Sequence, residues 1–284
     1  MGKICIHGYY GMGNLGDEAI LKSILREFGK YNPLEVTVFS RRPEQVQNYH
    51  KVKSISSENK VDLFKRRQEL KSCNLFVLGG GGLLKDFGDD SRSLKKWFKL
   101  LNLAQRFKVK TSIFAIGVEN IRFNESKTLV QNSLAKVDLI TVRDKTSKKI
   151  LETIGVTNAI KVTTDPVVLL GNSDTITIKD QNGFKREPPK KIAFCVRQWF
   201  DKSFQIEKPE LNENLIKSLA DTADFLIEQY NAKLEFIPMR TISYDDDRIM
   251  ANQIISKMKL KENVKVHNKV PDIDSFTSML KQFS

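Results

Sequence analysis

The run Gly8-Tyr-Tyr-Gly-Met-Gly-Asn-Leu-Gly-Asp-Glu-Ala-Ile-Leu21 decides the fold of this chain. It follows a short apolar run, Lys3-Ile-Cys-Ile-His7, that we interpret as a buried strand. After the glycines, apolar residues recur at helical spacing at Ala19, Ile20, Ile24, Leu25 and Phe28. The order is therefore strand, glycine-rich loop, helix. Glycines let the backbone approach a ligand, and a helix start offers N–H groups, so we expect an anionic or polyhydroxylated ligand here.

This loop contains Gly11-x-Gly13-x-x-Gly16, which is the spacing of the dinucleotide fingerprint. The fingerprint also requires an acidic residue at the end of the second strand, whereas strand 34–39 ends in Ser40-Arg41-Arg42. Arginines at that position suit a 2′-phosphate, so an NADP-dependent oxidoreductase stays open as an alternative.

Three polar residues of the same run favour a sugar. Carboxylates at a helix start suit the helix dipole but repel phosphate, so Asn14, Asp17 and Glu18 are better placed to bind sugar hydroxyls. The competing interpretation is a capped tight turn, in which an Asn or Asp side chain caps the helix and the glycines only turn the chain.

Composition narrows the class of protein. The chain has 284 residues, enough for two domains, and a formal charge of +13 that is spread along its length. Such a charge favours an anionic membrane surface or a phosphorylated substrate, whereas no motif indicates nucleic-acid binding. No apolar run approaches the ~20 residues of a membrane span. We expect a cytoplasmic protein with peripheral contact at the inner face of a membrane.

The residues that most often hold metals or form disulfides are sparse. Cys5, Cys73 and Cys195 are far apart in the sequence and lie beside apolar runs, which indicates buried, reduced thiols. None of the three histidines lies at metal-ligand spacing from another. We therefore expect no metal site at these residues.

The chain alternates strands and helices, which is typical of a parallel sheet covered by helices on both faces. The expected strands of the first half are 3–7, 34–39, 74–78, 111–116, 138–142 and 160–163. A polar stretch then interrupts the pattern, which restarts with a strand at 191–196. We expect an N-terminal Rossmann-like domain over residues 1–172, a linker over 173–190 and a second Rossmann-like domain over 191–284, around a shared cleft.

The second domain has only three expected strands, and the chain stops after a helix that should lead into a further strand. We therefore expect the chain to be truncated at its C-terminus.

Further candidate site residues follow other strands. The strand at 75–78 runs into Gly79-Gly80-Gly81-Gly82, which indicates a backbone close to a packed helix or to a sugar or phosphate. Arg143 ends another strand, where its guanidinium can bind a carboxylate or phosphate or form a structural pair with Asp144. Arg197 holds the equivalent position after the first strand of the second domain.

Together these pieces resemble the polysaccharide pyruvyl transferase family, in particular its bacterial cell-wall branch, which acts on a lipid-linked disaccharide. The matching pieces are Gly8–Leu21, Gly79-Gly-Gly-Gly-Leu-Leu-Lys-Asp86, Thr141-Val-Arg-Asp144, Asp165-Pro166, Val196-Arg-Gln-Trp199 and Ile237-Pro-Met239. The resemblance implies a GT-B-like fold and transfer of pyruvate from phosphoenolpyruvate to a sugar, as a 4,6-linked ketal. This route needs neither a metal nor a nicotinamide, so we expect no cofactor, with phosphoenolpyruvate as the donor substrate.

The resemblance also implies roles for residues. The acceptor, a lipid-diphosphate-linked saccharide, would contact Asn14, Asp17, Glu18 and the 79–82 glycines, and Arg143 would contact phosphoenolpyruvate. Asp17 is the candidate base. The chain departs from the family pattern at Gly117-Val118, where Gly-Pro is usual, and by lacking Arg-Leu-His, a motif expected beyond residue 284 that would supply the acid.

Alternatives of other classes remain. A GT-B glycosyltransferase would use the same fold, with Arg197 binding the diphosphate of a nucleotide sugar. An NADP-dependent oxidoreductase ranks lower, because no hydride-transfer site is identifiable. A sugar-binding protein without catalysis is the non-enzymatic interpretation.

Overall fold

The structure is a computed structural model that describes residues 2–31, 34–86, 91–171, 191–200, 208–243 and 245–283. The chain forms two compact units, Met1–Asn172 and Ser173–Ser284, which are called unit 1 and unit 2 below. The linker expected at 173–190 lies outside the described residues. No helix in the described ranges is long and apolar enough to cross a membrane.

Unit 1 is built on a seven-stranded sheet in the order β3-β2-β1-β4-β5-β6-β7, with every neighbouring pair parallel. The strands are β1 Gly2–His7, β2 Leu34–Ser40, β3 Lys53–Ser56, β4 Leu75–Gly79, β5 Lys110–Ile116, β6 Leu139–Val142 and β7 Ile160–Val162. The first six follow the order typical of dinucleotide-binding folds, with the switch between β1 and β4. The predicted doubly wound α/β fold is confirmed.

Helices connect these strands and cover the sheet. They are α1 Leu15–Phe28, α2 Pro43–His50, α3 Leu63–Ser72, α4 Arg92–Arg106, α5 Asn124–Leu134 and α6 Lys145–Thr153, followed by a 3-10 helix at Pro166–Leu170. One apolar core contains buried residues of α3 to α6, and another contains residues of α1 and α2. Both cores include strand residues, so the sheet is buried between two helical layers.

The sequence prediction missed β3 and α2. In β3 only Ile55 is apolar among the three buried positions, and the Ser54 hydroxyl donates a hydrogen bond to the carbonyl of Val38 at 2.9 Å. In α2 only Val46 is buried. Neither element therefore carries the apolar period that reveals the others.

Unit 2 has a three-stranded parallel sheet in the order β12-β9-β8. Its elements are β8 Lys191–Phe194, α7 Pro209–Tyr230, β9 Lys233–Phe236, β10 Thr241–Ile242, β11 Asp245–Asp246, α8 Asp247–Lys257, β12 Val264–Val266 and α9 Ile273–Leu280. Its core joins α7, α8 and these strands. The three strands of this sheet match the number expected, and the strand expected at 191–196 is β8 at Lys191–Phe194, whereas the short β10–β11 hairpin was not predicted.

The cysteine prediction was partly wrong. Cys5 and Cys73 are distant in sequence, but the crossover between β3 and β4 brings residue 73 beside β1. The Cys5 thiol donates to the carbonyl of Glu69 at 3.8 Å, and the Cys73 thiol donates to the carbonyl of Leu70 at 3.2 Å. Both are buried free thiols, as expected. Cys195 follows β8 and is exposed rather than buried.

Candidate functional site

The predicted residues of unit 1 gather where its parallel strands end. Because all seven strands run the same way, the loops that follow β1, β4, β5, β6 and β7 meet at one edge of the sheet, called the carboxyl edge below. Gly13, Asn14 and the 80–82 glycines lie in the first two of these loops, and Arg143 follows β6.

The loop after β1 ends in a helix cap. Asn14 is the N-cap of α1, and its Oδ1 accepts a hydrogen bond from the N–H of Asp17 at 3.1 Å. Gly13 is exposed at the loop tip with φ of 72°, and Gly16 lies in the first turn close to the Asn14 side chain. The capping interpretation therefore holds for Asn14, while Asp17 projects from the first turn of α1.

Glu18 is buried and holds the loop in place. Its Oε1 accepts the N–H of Gly11 at 2.7 Å, and its Oε2 lies 2.8 Å from Nε2 of His50, at the end of α2. Both carboxylate oxygens have protein partners, so Glu18 positions the loop that carries Gly13 and Asn14. His50 was not predicted, because it is remote in sequence and no local pattern links it to Glu18.

Tyr10 connects the loop after β1 to the glycine run after β4. Its side chain is fully buried, and its hydroxyl donates a hydrogen bond to the carbonyl of Gly79. Burial raises the pKa of Tyr10 well above its usual range, and the charges of Asp17, Glu18 and Asp165 raise it further. The phenol therefore stays protonated and keeps donating this bond at neutral pH.

The glycine run packs against α1, as one of the two interpretations expected. Gly80 has φ of 73°, and a Cβ built there would lie 2.0 Å from Cγ2 of Ile20. A Cβ at Gly81 would lie 2.9 Å from Oδ1 of Asp17, so the Asp17 carboxylate rests on this backbone. Gly82 differs, because its Cβ would meet only Oε1 of Glu119 at an ordinary 3.6 Å.

Hydrogen bonds fix the glycine run to the end of β5. The N–H of Gly80 donates to the carbonyl of Phe114 at 2.8 Å, and the N–H of Gly117 donates to the carbonyl of Gly81 at 2.8 Å. Packing explains Gly80 and Gly81, whereas Gly82 leaves space beside Glu119. The backbone of the glycine run is therefore fixed by hydrogen bonds and packing, and Gly82 is the position in it that could contact a ligand.

Arg143 lies flat on Gly117. A Cβ at Gly117 would meet Nε, Cζ and Nη2 of Arg143 at 2.8–2.9 Å. The guanidinium contacts three carboxylates: Nη1 lies 3.5 Å from Asp165, Nε 3.6 Å from Asp144 and Nη2 3.7 Å from Glu119. The pair with Asp144 exists, but it is one contact of three. The sequence did not predict Glu119 and Asp165 as partners, because they follow other strands.

Asp144 has a second role as a helix cap. Its Oδ1 accepts the N–H of Ser147 at 2.6 Å, and this bond is the main cause that lowers the pKa of Asp144, with Arg143 contributing. Asp144 is therefore ionised at neutral pH and holds the start of α6 beneath Arg143.

Arg197 in unit 2 belongs to a buried ionic cluster. Its Nη2 lies 2.7 Å from Oδ2 of Asp245, which also accepts from Nη1 of Arg240 at 2.5 Å. The neighbouring Asp247 is buried, and burial raises its pKa. Arg240 and Asp245 follow β9 in sequence, but only the short β10–β11 hairpin reveals that they meet Arg197. Arg240 is itself buried, whereas the Arg197 side chain is partly exposed.

Arg41, which supported the NADP alternative, forms an ion pair with Glu58 at 3.2 Å. Among the described residues, no group of three or more His, Cys, Asp or Glu side chains is placed to hold a metal ion.

Solved structures with this fold include several nucleotide-sugar enzymes. The S. aureus MnaA structure with UDP aligns with a TM-score of 0.58 at 15% identity, covering 99% of this chain and 72% of that one. A putative UDP-N-acetylglucosamine 2-epimerase from Listeria monocytogenes gives 0.57 at 12%, covering 99% and 72%. The UDP-GlcNAc 2-epimerase of Neisseria meningitidis, bound to UDP-GlcNAc, gives 0.54 at 14%, covering 99% and 76%.

At these identities the likeness shows the fold alone, and it confirms the predicted GT-B-like fold class. No curated protein sequence matches the chain. The model of the family described as polysaccharide pyruvyl transferase matches residues 14–284, which include the whole of α1, the glycine run, Arg143 and Arg197. The chain is a member of the polysaccharide pyruvyl transferase family.

Proposed function

We propose that this protein transfers pyruvate from phosphoenolpyruvate to a sugar of a cell-wall or exopolysaccharide precursor. The product is a 4,6-linked ketal, and phosphate is released. The family match over residues 14–284 is the single observation that carries this proposal. We further propose that the acceptor is a saccharide linked to a lipid diphosphate.

The reaction sets the groups that the site must supply. The methylene carbon of phosphoenolpyruvate gains a proton and becomes a methyl group, and the cationic C2 then accepts two sugar oxygens. The C2–O bond to phosphate breaks. The two sugar hydroxyls lose two protons, which balance the one gained by the methyl group and the one on the hydrogen phosphate released. A base near the sugar and cations near the donor are therefore required. The proposed route uses no metal or nicotinamide.

On the acceptor side, we propose that Asp17 accepts a proton from a sugar hydroxyl. Its carboxylate lies against Gly81 at the carboxyl edge, and the open position at Gly82 follows directly in the same loop. Gly13 and Asn14 lie in the loop just before Asp17, and the Asn14 side chain accepts the N–H of Asp17. Glu18 and His50 hold this loop in position. Carboxylate and amide oxygens are suitable acceptors for sugar hydroxyls.

On the donor side, we propose that Arg143 binds an anionic group of phosphoenolpyruvate. A guanidinium can form paired hydrogen bonds to a carboxylate or a phosphate, and this one is partly exposed at the carboxyl edge. Arg197 is a second candidate for the donor, because it also follows a strand end and is partly exposed.

The deciding experiment measures phosphate release from phosphoenolpyruvate, with and without a lipid-diphosphate-linked N-acetylmannosaminyl-N-acetylglucosamine acceptor. We expect acceptor-dependent release and a product that gains one pyruvyl group by mass spectrometry. Arg143→Ala should lower turnover by about 100- to 1,000-fold, as expected for the loss of one charge-stabilising group. Arg106→Ala, at the exposed end of α4, should leave turnover unchanged. Unchanged turnover in Arg143→Ala would overturn the donor role of Arg143.

A nucleotide-sugar transferase is the second candidate, because solved structures with this fold contain UDP or UDP-GlcNAc. Calorimetry with UDP discriminates the two functions. Micromolar UDP binding together with no release of phosphate from phosphoenolpyruvate would favour the nucleotide-sugar reaction.

A further inference from the structure

A short segment of unit 1 exposes three large apolar side chains within four residues. Val61 is 85% exposed, Phe64 is 77% exposed and Leu63 is 44% exposed. They lie where the loop after β3 enters α3. Residues 60–67 are called the α3 tip below. Single exposed apolar residues are ordinary on protein surfaces, but a cluster of this kind marks an interaction site.

The α3 tip is held firmly from beneath. Arg66 is buried, and its Nη1 donates to the carbonyls of Ser56 at 2.9 Å and Asn59 at 2.7 Å. The side chain of Asn59 accepts the N–H of Val61 at 3.0 Å, and Leu70 anchors the following turn in the core. The apolar side chains are therefore presented on an ordered turn, and their exposure does not come from a loose loop.

Cations surround the apolar side chains. Lys60, Lys65 and Arg67 are exposed within the same segment, where the single acidic residue is Asp62, which lies 3.8 Å from Lys65. The start of the adjacent α4 adds exposed Arg92, Lys95 and Lys96, of which Lys95 pairs with Glu125 at 2.6 Å. The chain as a whole carries +13. The partner of this surface is therefore expected to combine an apolar phase with negative charge.

We propose that the α3 tip is a membrane-docking surface, which inserts Val61, Leu63 and Phe64 below the headgroups of an anionic bilayer. Apolar side chains flanked by lysine and arginine are the pattern that binds bilayer surfaces, with the cations remaining among the headgroups. A protein partner fits less well, because a stable interface needs about 800 Å² on each side, and three side chains are a small apolar centre.

The position of the tip is consistent with access to a lipid-linked substrate. α3 begins after the carboxyl end of β3, so the tip lies at the same edge of the sheet as the loops that carry Asp17 and Gly82. Docking there would bring this edge close to the headgroups, where a sugar on a lipid diphosphate is presented. The identity of the acceptor rests on the proposed function, whereas the docking itself does not.

The test is sedimentation of the full chain with vesicles of phosphatidylcholine alone, or of an equal mixture with phosphatidylglycerol. We expect binding to the mixed vesicles that weakens with salt. The double substitution Val61→Ser with Phe64→Ser should lower the partition coefficient at least about tenfold. Each change removes apolar surface, and with it the favourable free energy of moving that surface from water into the bilayer. The matched control, Leu211→Ser with Ile249→Ser, removes two exposed apolar residues of unit 2 and should change it less than about twofold.

A charge variant separates electrostatic attraction to the headgroups from insertion of the apolar side chains. Replacing Lys60, Lys65 and Arg67 with glutamine should weaken binding to mixed vesicles and reduce its salt dependence. A folded protein that fails to bind mixed vesicles at low salt, or apolar variants that bind like the wild type, would overturn the proposal. Activity on a soluble acceptor should survive Val61→Ser with Phe64→Ser. A chain that binds vesicles but turns over no phosphoenolpyruvate would refute the proposed function alone.

Discussion

Gly117→Ala tests whether Arg143 acts from the position that the structure gives it. The new Cβ would lie 2.8–2.9 Å from three guanidinium atoms of Arg143, whereas ordinary contacts begin near 3.4 Å. The backbone of Gly117 has no positive φ, so alanine is acceptable there and the guanidinium must move by about 0.5–1 Å. A shift of that size at a binding group costs about 10- to 100-fold in kcat/KM, or about 1.4–2.7 kcal/mol of transition-state stabilisation.

The assay is acceptor-dependent phosphate release, measured in a double-mutant cycle. If Gly117→Ala acts through Arg143, then adding it to Arg143→Ala should cause little further loss. Equal losses in the wild-type and Arg143→Ala backgrounds would refute the reasoning, as would a Gly117→Ala enzyme with full activity. Thermal unfolding of each variant identifies losses that come from misfolding.

Three further predictions concern stability. Burial lowers the pKa of His7 to about 4, so between pH 6.5 and 4 the imidazole stays neutral in the folded chain but takes up a proton in the unfolded chain. The free energy of unfolding should therefore fall by about 3 kcal/mol over this range. His7→Asn should remove most of this pH dependence, as measured by urea titrations. Gly80→Ala should lower the free energy of unfolding by about 2–4 kcal/mol, because of the positive φ of residue 80 and the overlap of the new Cβ with Ile20. The double variant with Ile20→Ala should lose less stability than the sum of the two single variants; additive losses would contradict the overlap. Glu18→Gln should cost about 1–3 kcal/mol, and His50→Gln in that background should add little; full additivity in unfolding experiments would mean that the pair does not couple.

The sequence predicts the sheet well wherever the strands carry apolar runs. The β1 and β4 strands are buried and apolar, and both were predicted within one or two residues. β3 was missed because two of its three buried positions are serines: the Ser54 hydroxyl donates to the carbonyl of Val38 on β2, and the Ser56 hydroxyl accepts from the N–H groups of Glu58 and Asn59. β3 lies at the edge of the sheet and pairs only with β2. A short polar edge strand has no signature in a single sequence, because its stability comes from its contacts in the fold.

The candidate site was predictable in position but not in its connections. Strand ends and glycine runs indicate where the backbone reaches the carboxyl edge, and that logic found Asp17, Gly82 and Arg143. It could not find that Glu119 and Asp165 meet Arg143, because each follows a different strand and pairs only through the fold.

The surroundings of the individual glycines at 79–82 were likewise not predictable from the sequence. The four adjacent glycines left two causes open, a packed helix or a bound sugar or phosphate, and the structure gives the individual glycines different surroundings. Gly79 and Gly80 are required by close contacts with Phe114 and Ile20, and Gly81 lies against a carboxylate. Only comparison of the individual positions separates packing at residues 79–81 from the open space at Gly82.

The three carboxylates around Arg143 have a consequence for selectivity. An incoming anion must exchange places with Glu119, Asp144 or Asp165, which act as tethered competitors for the guanidinium. A small monovalent ion such as chloride offers a single contact and gains little from that exchange. A ligand with two anionic groups can replace several contacts at once. Under the proposed donor role of Arg143, the carboxylates would therefore disfavour abundant simple anions at the guanidinium and favour a donor with two anionic groups.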